Sequence, residues 1–164
     1  MARMKFVAAV LTSVALVSSA GCGAAVSESA GGDKVQTRAV SFRELEAGML
    51  SGVTAPEERV VRDAEAWGRL WQAVQAGGSS ERPLPAVDFS RETCIAIFAG
   101  QKPTGGYAVK VEQVTESGGS LEIAYRVTAP APGSIVSQAL TSPYQIIAVP
   151  SRSGSVRFRR LPER

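Results

Sequence analysis

The sequence predicts an α+β domain: a mostly antiparallel β-sheet of six or seven strands, of the kind that closes toward a sandwich or barrel, with one α-helix packed on it. Three observations carry this. Short runs alternate apolar and polar, as at Leu121, Ile123, Tyr125 and Val127. Two other runs, Cys94–Ala99 and Gln145–Val149, are apolar at successive positions and need cover on both faces, so they are expected to be inner strands. Only Trp67, Leu70, Trp71 and Val74 recur at helical spacing.

In chain order, residues 1–21 read as an export signal. Arg3 and Lys5 precede an apolar run at 6–17 that is too short to span a bilayer as a stable helix. Ser18, Ser19, Ala20 and Gly21 then lead to Cys22, the pattern of a lipoprotein signal with Cys22 as the acylated (palmitate-bearing) residue. Ser18-Ser19-Ala20 also fits an ordinary signal-peptidase site. Removal of this segment takes two basic residues and no acidic one. The formal charge of +3 therefore falls to +1, and charge gives no reason to expect nucleic-acid binding. Residues 22–38 are small, polar and aperiodic, a tether ahead of a single domain at 39–164.

Val40–Leu45 and Met49–Val53 are expected as short strands, and Arg59–Arg62 as a third. Asp63 is suited to cap a helix over residues 63–76, which Gly77-Gly78 ends. The Trp67 and Trp71 face is expected to lie in the core. Asp88 is expected to bond backbone amides in a turn before the central strand. The stretch Thr93–Lys110 reads as two strands joined by a glycine-rich loop in which Gly105 or Gly106 takes positive φ. Val114 breaks the alternation of Tyr107, Val109 and Val111, so a bulge is expected near Glu112-Gln113. Ser117–Ser120 is a turn, and Leu121–Val127 a strand with one wet face. The prolines at 130 and 132 interrupt pairing. Ile135–Thr141 is expected as an irregular strand, and Val156–Arg159 as a charged edge strand.

The sequence contains no histidine. This excludes Ser-His-Asp and Cys-His nucleophile systems and the usual histidine-bearing zinc and copper sites. No catalytic residue, cofactor or metal ligand is predicted. Lys102 near Thr104 leaves only a Ser/Thr–Lys hydrolase as an enzymatic reading. The loop itself reads either as a plain connection or as a binding loop stiffened by Pro103.

The residues Phe98-Ala99-Gly100, Pro103-Thr104-Gly105-Gly106-Tyr107, Pro130-Ala131-Pro132-Gly133, Gln138 and Ser142-Pro143-Tyr144, with the Trp67…Trp71 helix and Asp88-Phe89-Ser90 upstream, resemble the PrcB C-terminal domain family. The resemblance covers roughly 59–149. It implies a non-catalytic module that binds and stabilises a partner, since the family takes its name from a bacterial lipoprotein associated with a surface subtilisin-like protease. The partner-binding residues it suggests are Lys102, Pro103, Thr104, Gly105, Gly106, Tyr107, Pro130, Pro132 and Gly133. The expected setting is the cell envelope, by lipid anchor (at the outer membrane in a Gram-negative cell), or otherwise the periplasm or exterior. A narrower likeness, of 103–107 to the inhibitory loop of chagasin-like cysteine-protease inhibitors, implies a protease inhibitor as the alternative.

Overall fold

The structure, a computed structural model, describes residues 36–78 and 81–163. The signal segment, Cys22 and most of the tether lie outside the described residues. Lys34–Arg164 forms one compact unit.

Helix α1 spans Ala64–Gln75. Asp63 caps it as its sequence position predicts: the carboxylate accepts from the Ala66 N–H at 2.7 Å. Trp67, Leu70, Trp71 and Val74 share its buried face. The indole N–H groups of Trp67 and Trp71 donate to the carbonyls of Pro85 and Arg82, at 3.0 and 3.2 Å, so the loop after the helix is strapped back across it.

Among the described residues eight strands form two four-stranded sheets, with no closed barrel. They are β1 (Arg38–Ala39), β2 (Arg43–Gly48), β3 (Pro56–Val61), β4 (Glu92–Ala99), β5 (Ala108–Ser117), β6 (Ser120–Thr128), β7 (Tyr144–Pro150) and β8 (Val156–Arg160). One sheet has the order β1-β5-β6-β8 and the other β2-β7-β4-β3. All pairings are antiparallel except β6 with β8.

The two doubly apolar strands, β4 and β7, lie side by side in the middle of the second sheet, and its two faces serve two cores. Ile95, Ile97, Ile147 and Val149 pack inward against Val111, Val114, Ile123 and Tyr125 of the first sheet. Cys94, Ala96, Phe98 and Ile146 pack outward against the helix. The layers are therefore helix, sheet, sheet, and the far face of the first sheet carries the charged residues of β5, β6 and β8.

Four sequence expectations change. First, β4 and β5 are not a hairpin: they lie in different sheets, and the segment 100–107 crosses between them. Second, Met49–Val53 is not a strand. The Gly52 N–H instead donates to Ala73 O at the end of the helix, an approach so close that a Cβ on Gly52 would lie 2.5 Å from that oxygen. The strand expected at Val40–Leu45 lies at β2, while Val40 and Phe42 lean into the core between the sheets. Third, Ile135–Thr141 forms no strand beyond one bridge, Thr141 to Lys102. Fourth, the outward face of β6 is not wholly wet. Ala124 and Arg126 are buried, and the C-terminal segment lies over them, with Leu161 N–H bonded to Tyr125 O and Arg126 to Pro162 O. The expected bulge appears as a register shift between Val111 and Gln113.

Cys94 is a free, fully buried thiol. Burial pushes its pKa from 9.0 up to about 12, with the Glu92 carboxylate adding to the effect. Tyr125 is also raised to about 12, first by burial and then by its hydrogen bond to Glu58. Both groups hold their protons more tightly folded than unfolded. The stability this confers is complete below pH 9 and is lost as the pH climbs from about 9 toward 12. Alkaline titration of the unfolding midpoint should show that decline. A thiol reagent at neutral pH should modify Cys94 only after unfolding.

Candidate functional site

The strand directions give the domain two poles. At one, β4 ends at Ala99, β5 begins at Ala108, β6 ends at Thr128 and β7 begins at Tyr144. The long connections 100–107 and 129–143 both run there, and they hold each other. Lys102 and Thr141 exchange backbone hydrogen bonds at 2.7 and 3.0 Å. The Gly105 N–H donates to Ser137 O at 2.8 Å. The Thr141 hydroxyl donates to Thr104 O at 2.8 Å. Of the two glycines expected to compete for positive φ, it is Gly106 that adopts it, at +83°, lying against Pro130 and Val136.

The structure thus brings together the sequence-predicted residues Lys102–Tyr107 and Pro130. Pro103, Gly106, Pro132 and Gly133 are exposed, Lys102, Thr104, Tyr107 and Pro130 half-buried, and Gly105 buried. The loop is a braced ridge rather than a free finger. The Lys102 ammonium lies 5.7 Å from the centroid of the Tyr107 ring, a cation–π contact. The Thr104 hydroxyl donates to Gly105 O rather than to Lys102.

Four residues that sequence reasoning passed over stand at the same pole. Ile135 is fully exposed, Leu140 61 %, Met49 56 % and Leu50 49 %. The Met49–Leu50 segment joins the ridge because Met49 O accepts from Ser142 N–H and the Ser51 hydroxyl donates to Ser142 O. As strands, 49–53 and 135–141 would have their apolar side chains covered. The available signal was composition: residues 129–143 carry no charge at all, and 98–109 carry only Lys102.

Elsewhere, a groove of about 530 Å³ opens beside β2, lined by Phe42, Arg43, Asp88, Arg91, Glu92 and Pro150 among others. Its charges are largely committed: Arg43 pairs with Glu92 at 2.9 Å, and Asp88 accepts from the Ser90 N–H and hydroxyl, which hold its carboxyl below the usual range. Among the described residues there is no cluster of three or more His, Cys, Asp or Glu placed to hold a metal, and no helix is long and apolar enough to cross a membrane.

The two crossing loops and the strands that carry them fall inside a recognisable segment, while Met49 and Leu50 lie outside it. Residues 93–150 match the PrcB C-terminal family model. The PrcB C-terminal match runs from β4 through β7 and takes in both crossing loops, Lys102–Tyr107 and 129–143. The helix and β1–β3 precede it, and β8 follows it. Neither the curated proteins nor the solved structures contain a match to the chain.

Proposed function

We propose that this protein is a non-catalytic envelope lipoprotein, acylated at Cys22, whose ridge binds and stabilises another exported protein, a surface protease being the class the PrcB likeness suggests. One observation carries the reading: four large apolar side chains stand exposed around a braced, nearly uncharged ridge, Ile135 and Leu140 within the PrcB C-terminal segment and Met49 and Leu50 from outside it. Exposed apolar residues scattered singly need no explanation, but a group on one pole marks an interaction surface. The bracing matters too, since a pre-ordered loop loses little entropy on binding. Tyr107 and Ile135 are the expected anchors, Lys102 a polar contact at the rim. The Lys102 and Thr104 placements favour binding over a Lys-dependent hydrolase, because neither group activates the other.

The test is capture from the source cell with the tagged full-length chain, comparing wild type with the double variant Ile135→Asp, Leu140→Asp. Both side chains are exposed, so the unfolding midpoint should be unchanged. The captured partner should fall about tenfold or more. Equal capture by the two chains would remove the ridge as the binding surface.

A further inference from the structure

The pole opposite the ridge is built from arginine. Arg38, Arg62, Arg91 and Arg157 are exposed there and have no carboxylate partner among the described residues. Their neighbourhood is fixed by the chain. Arg38 lies opposite Glu116 in the β1–β5 register, and Arg152 reaches that same Glu116 at 3.5 Å. The Arg62 guanidinium donates to Gly154 O at 3.0 Å, in the turn between β7 and β8. The Arg91 carbonyl accepts from Ser151 N–H in that turn. Arg157 lines the same hollow as Thr37. Three carboxylates at this pole are ion-paired: Glu92 with Arg43, Glu116 with Arg152, and Glu122, opposite Arg157 in the β6–β8 register, with Arg159. Asp63 on the Ala66 amide and Asp88 on Ser90 keep their charge, with Arg91 near Asp88, and leave the arginines in excess.

We propose that this arginine pole docks on the anionic headgroups of a lipid bilayer and so turns the apolar ridge outward, toward its protein partner. Charge complementarity selects an anionic surface. The path of the chain selects a membrane: residues 36–38, the first described, lie at this pole, 14–16 positions beyond Cys22. A random coil of that length would span roughly 20 Å root-mean-square, so an acyl chain on Cys22 would leave the arginines within reach of the lipid surface. Each basic residue close to an anionic leaflet strengthens attachment about fivefold. The orientation rests on acylation of Cys22; the headgroup contact does not.

Residues 34–164, the compact unit holding both cores, are sedimented with phosphatidylcholine vesicles made with and without phosphatidylglycerol. Binding should require phosphatidylglycerol and weaken as salt is raised. The variant Arg38→Glu, Arg91→Glu, Arg157→Glu should lose at least about tenfold in vesicle affinity. The charge-matched control Arg69→Glu, Lys110→Glu, Arg160→Glu, placed away from the pole, should bind far better, and thermal unfolding of both should match the parent. Equal binding to the two vesicle types, no binding to either, or equal loss in the two variants overturns the proposal. Salt-insensitive binding overturns it too, by pointing to insertion of the apolar ridge instead. Mass spectrometry of the native N-terminus separates failure of the anchor from failure of the contact.

Discussion

Trp67→Ala should lower the unfolding free energy by about 3–5 kcal/mol, measured by urea denaturation. Trp67 is 2 % exposed and sits between the helix and the outward face of β4 and β7. Its ring lies 5.7 Å from that of Trp71, tilted by 47°, and its N–H donates one of the two indole hydrogen bonds that strap the 81–91 loop to the helix. Truncation removes a large apolar surface, opens a cavity that the rigid sheet cannot close, and leaves the Pro85 carbonyl without that donor. A domain of this size has about 5–15 kcal/mol in total, so about a fifth or more is at stake. Trp67→Phe should cost less, because it retains most of the packing while losing the hydrogen bond. A loss below about 1 kcal/mol for the alanine variant would mean that this helix face is not part of the cooperative core.

The helix and the inner strands were legible because their signals are local and redundant. Asp63, the three-and-four spacing of Trp67–Val74 and the glycines at 77–78 agree with one another. Likewise, the double apolarity of 94–99 and 145–149 admits no open face. Loop-joined strands were less legible. The distance in sequence between β4 and β5 fits a hairpin, and nothing in 100–107 states that the chain changes sheets. That choice is made by the partners each strand finds far away, β7 for β4 and β6 for β5. The segments 49–53 and 135–141 failed for another reason. Their apolar residues look buried by type, yet Met49, Leu50, Ile135 and Leu140 are displayed. Composition predicts what a side chain prefers; exposure here follows from backbone bonds, such as Ser142 to Met49 and Gly105 to Ser137, that hold the segments at the pole. For the site, Lys102–Tyr107 and Pro130 could be paired from the family pattern. The apolar contributors could not, since they come from two connections far apart in sequence, β2–β3 and β6–β7.

The polarity of the domain also emerges only in three dimensions. Arg38, Arg62, Arg91 and Arg157 are dispersed among acidic residues in the chain, and the formal charge is small. Strand direction gathers them at one end, where ion pairs offset Glu92, Glu116 and Glu122 while Asp63 and Asp88 remain. A molecule with one basic end and one nearly uncharged end can be oriented by a charged surface without a large net charge.

Two adjacent glycines offer the sharpest test of how the ridge is held. Gly106→Ala should destabilise the domain by about 2–4 kcal/mol, whereas Gly105→Ala should change stability by less than about 1 kcal/mol. At Gly106, φ is +83°, and an added Cβ would lie 2.8 Å from the Pro130 Cβ and 3.0 Å from Val136. An L-residue is strained in that conformation, and the contact pushes 102–107 away from 130–136. At Gly105 the nearest atom to an added Cβ is the Ser137 Cβ at 3.4 Å, an ordinary contact, and φ is not positive. The Gly106 strain falls on the brace rather than on either core. Below its lowered unfolding midpoint, the Gly106→Ala chain should therefore still be folded yet capture less partner than wild type. Urea curves for both variants, with capture measured at a temperature where each is native, check the two halves of the expectation. Matching behaviour of the two glycine variants would show that the Gly106–Pro130 contact does not hold the ridge.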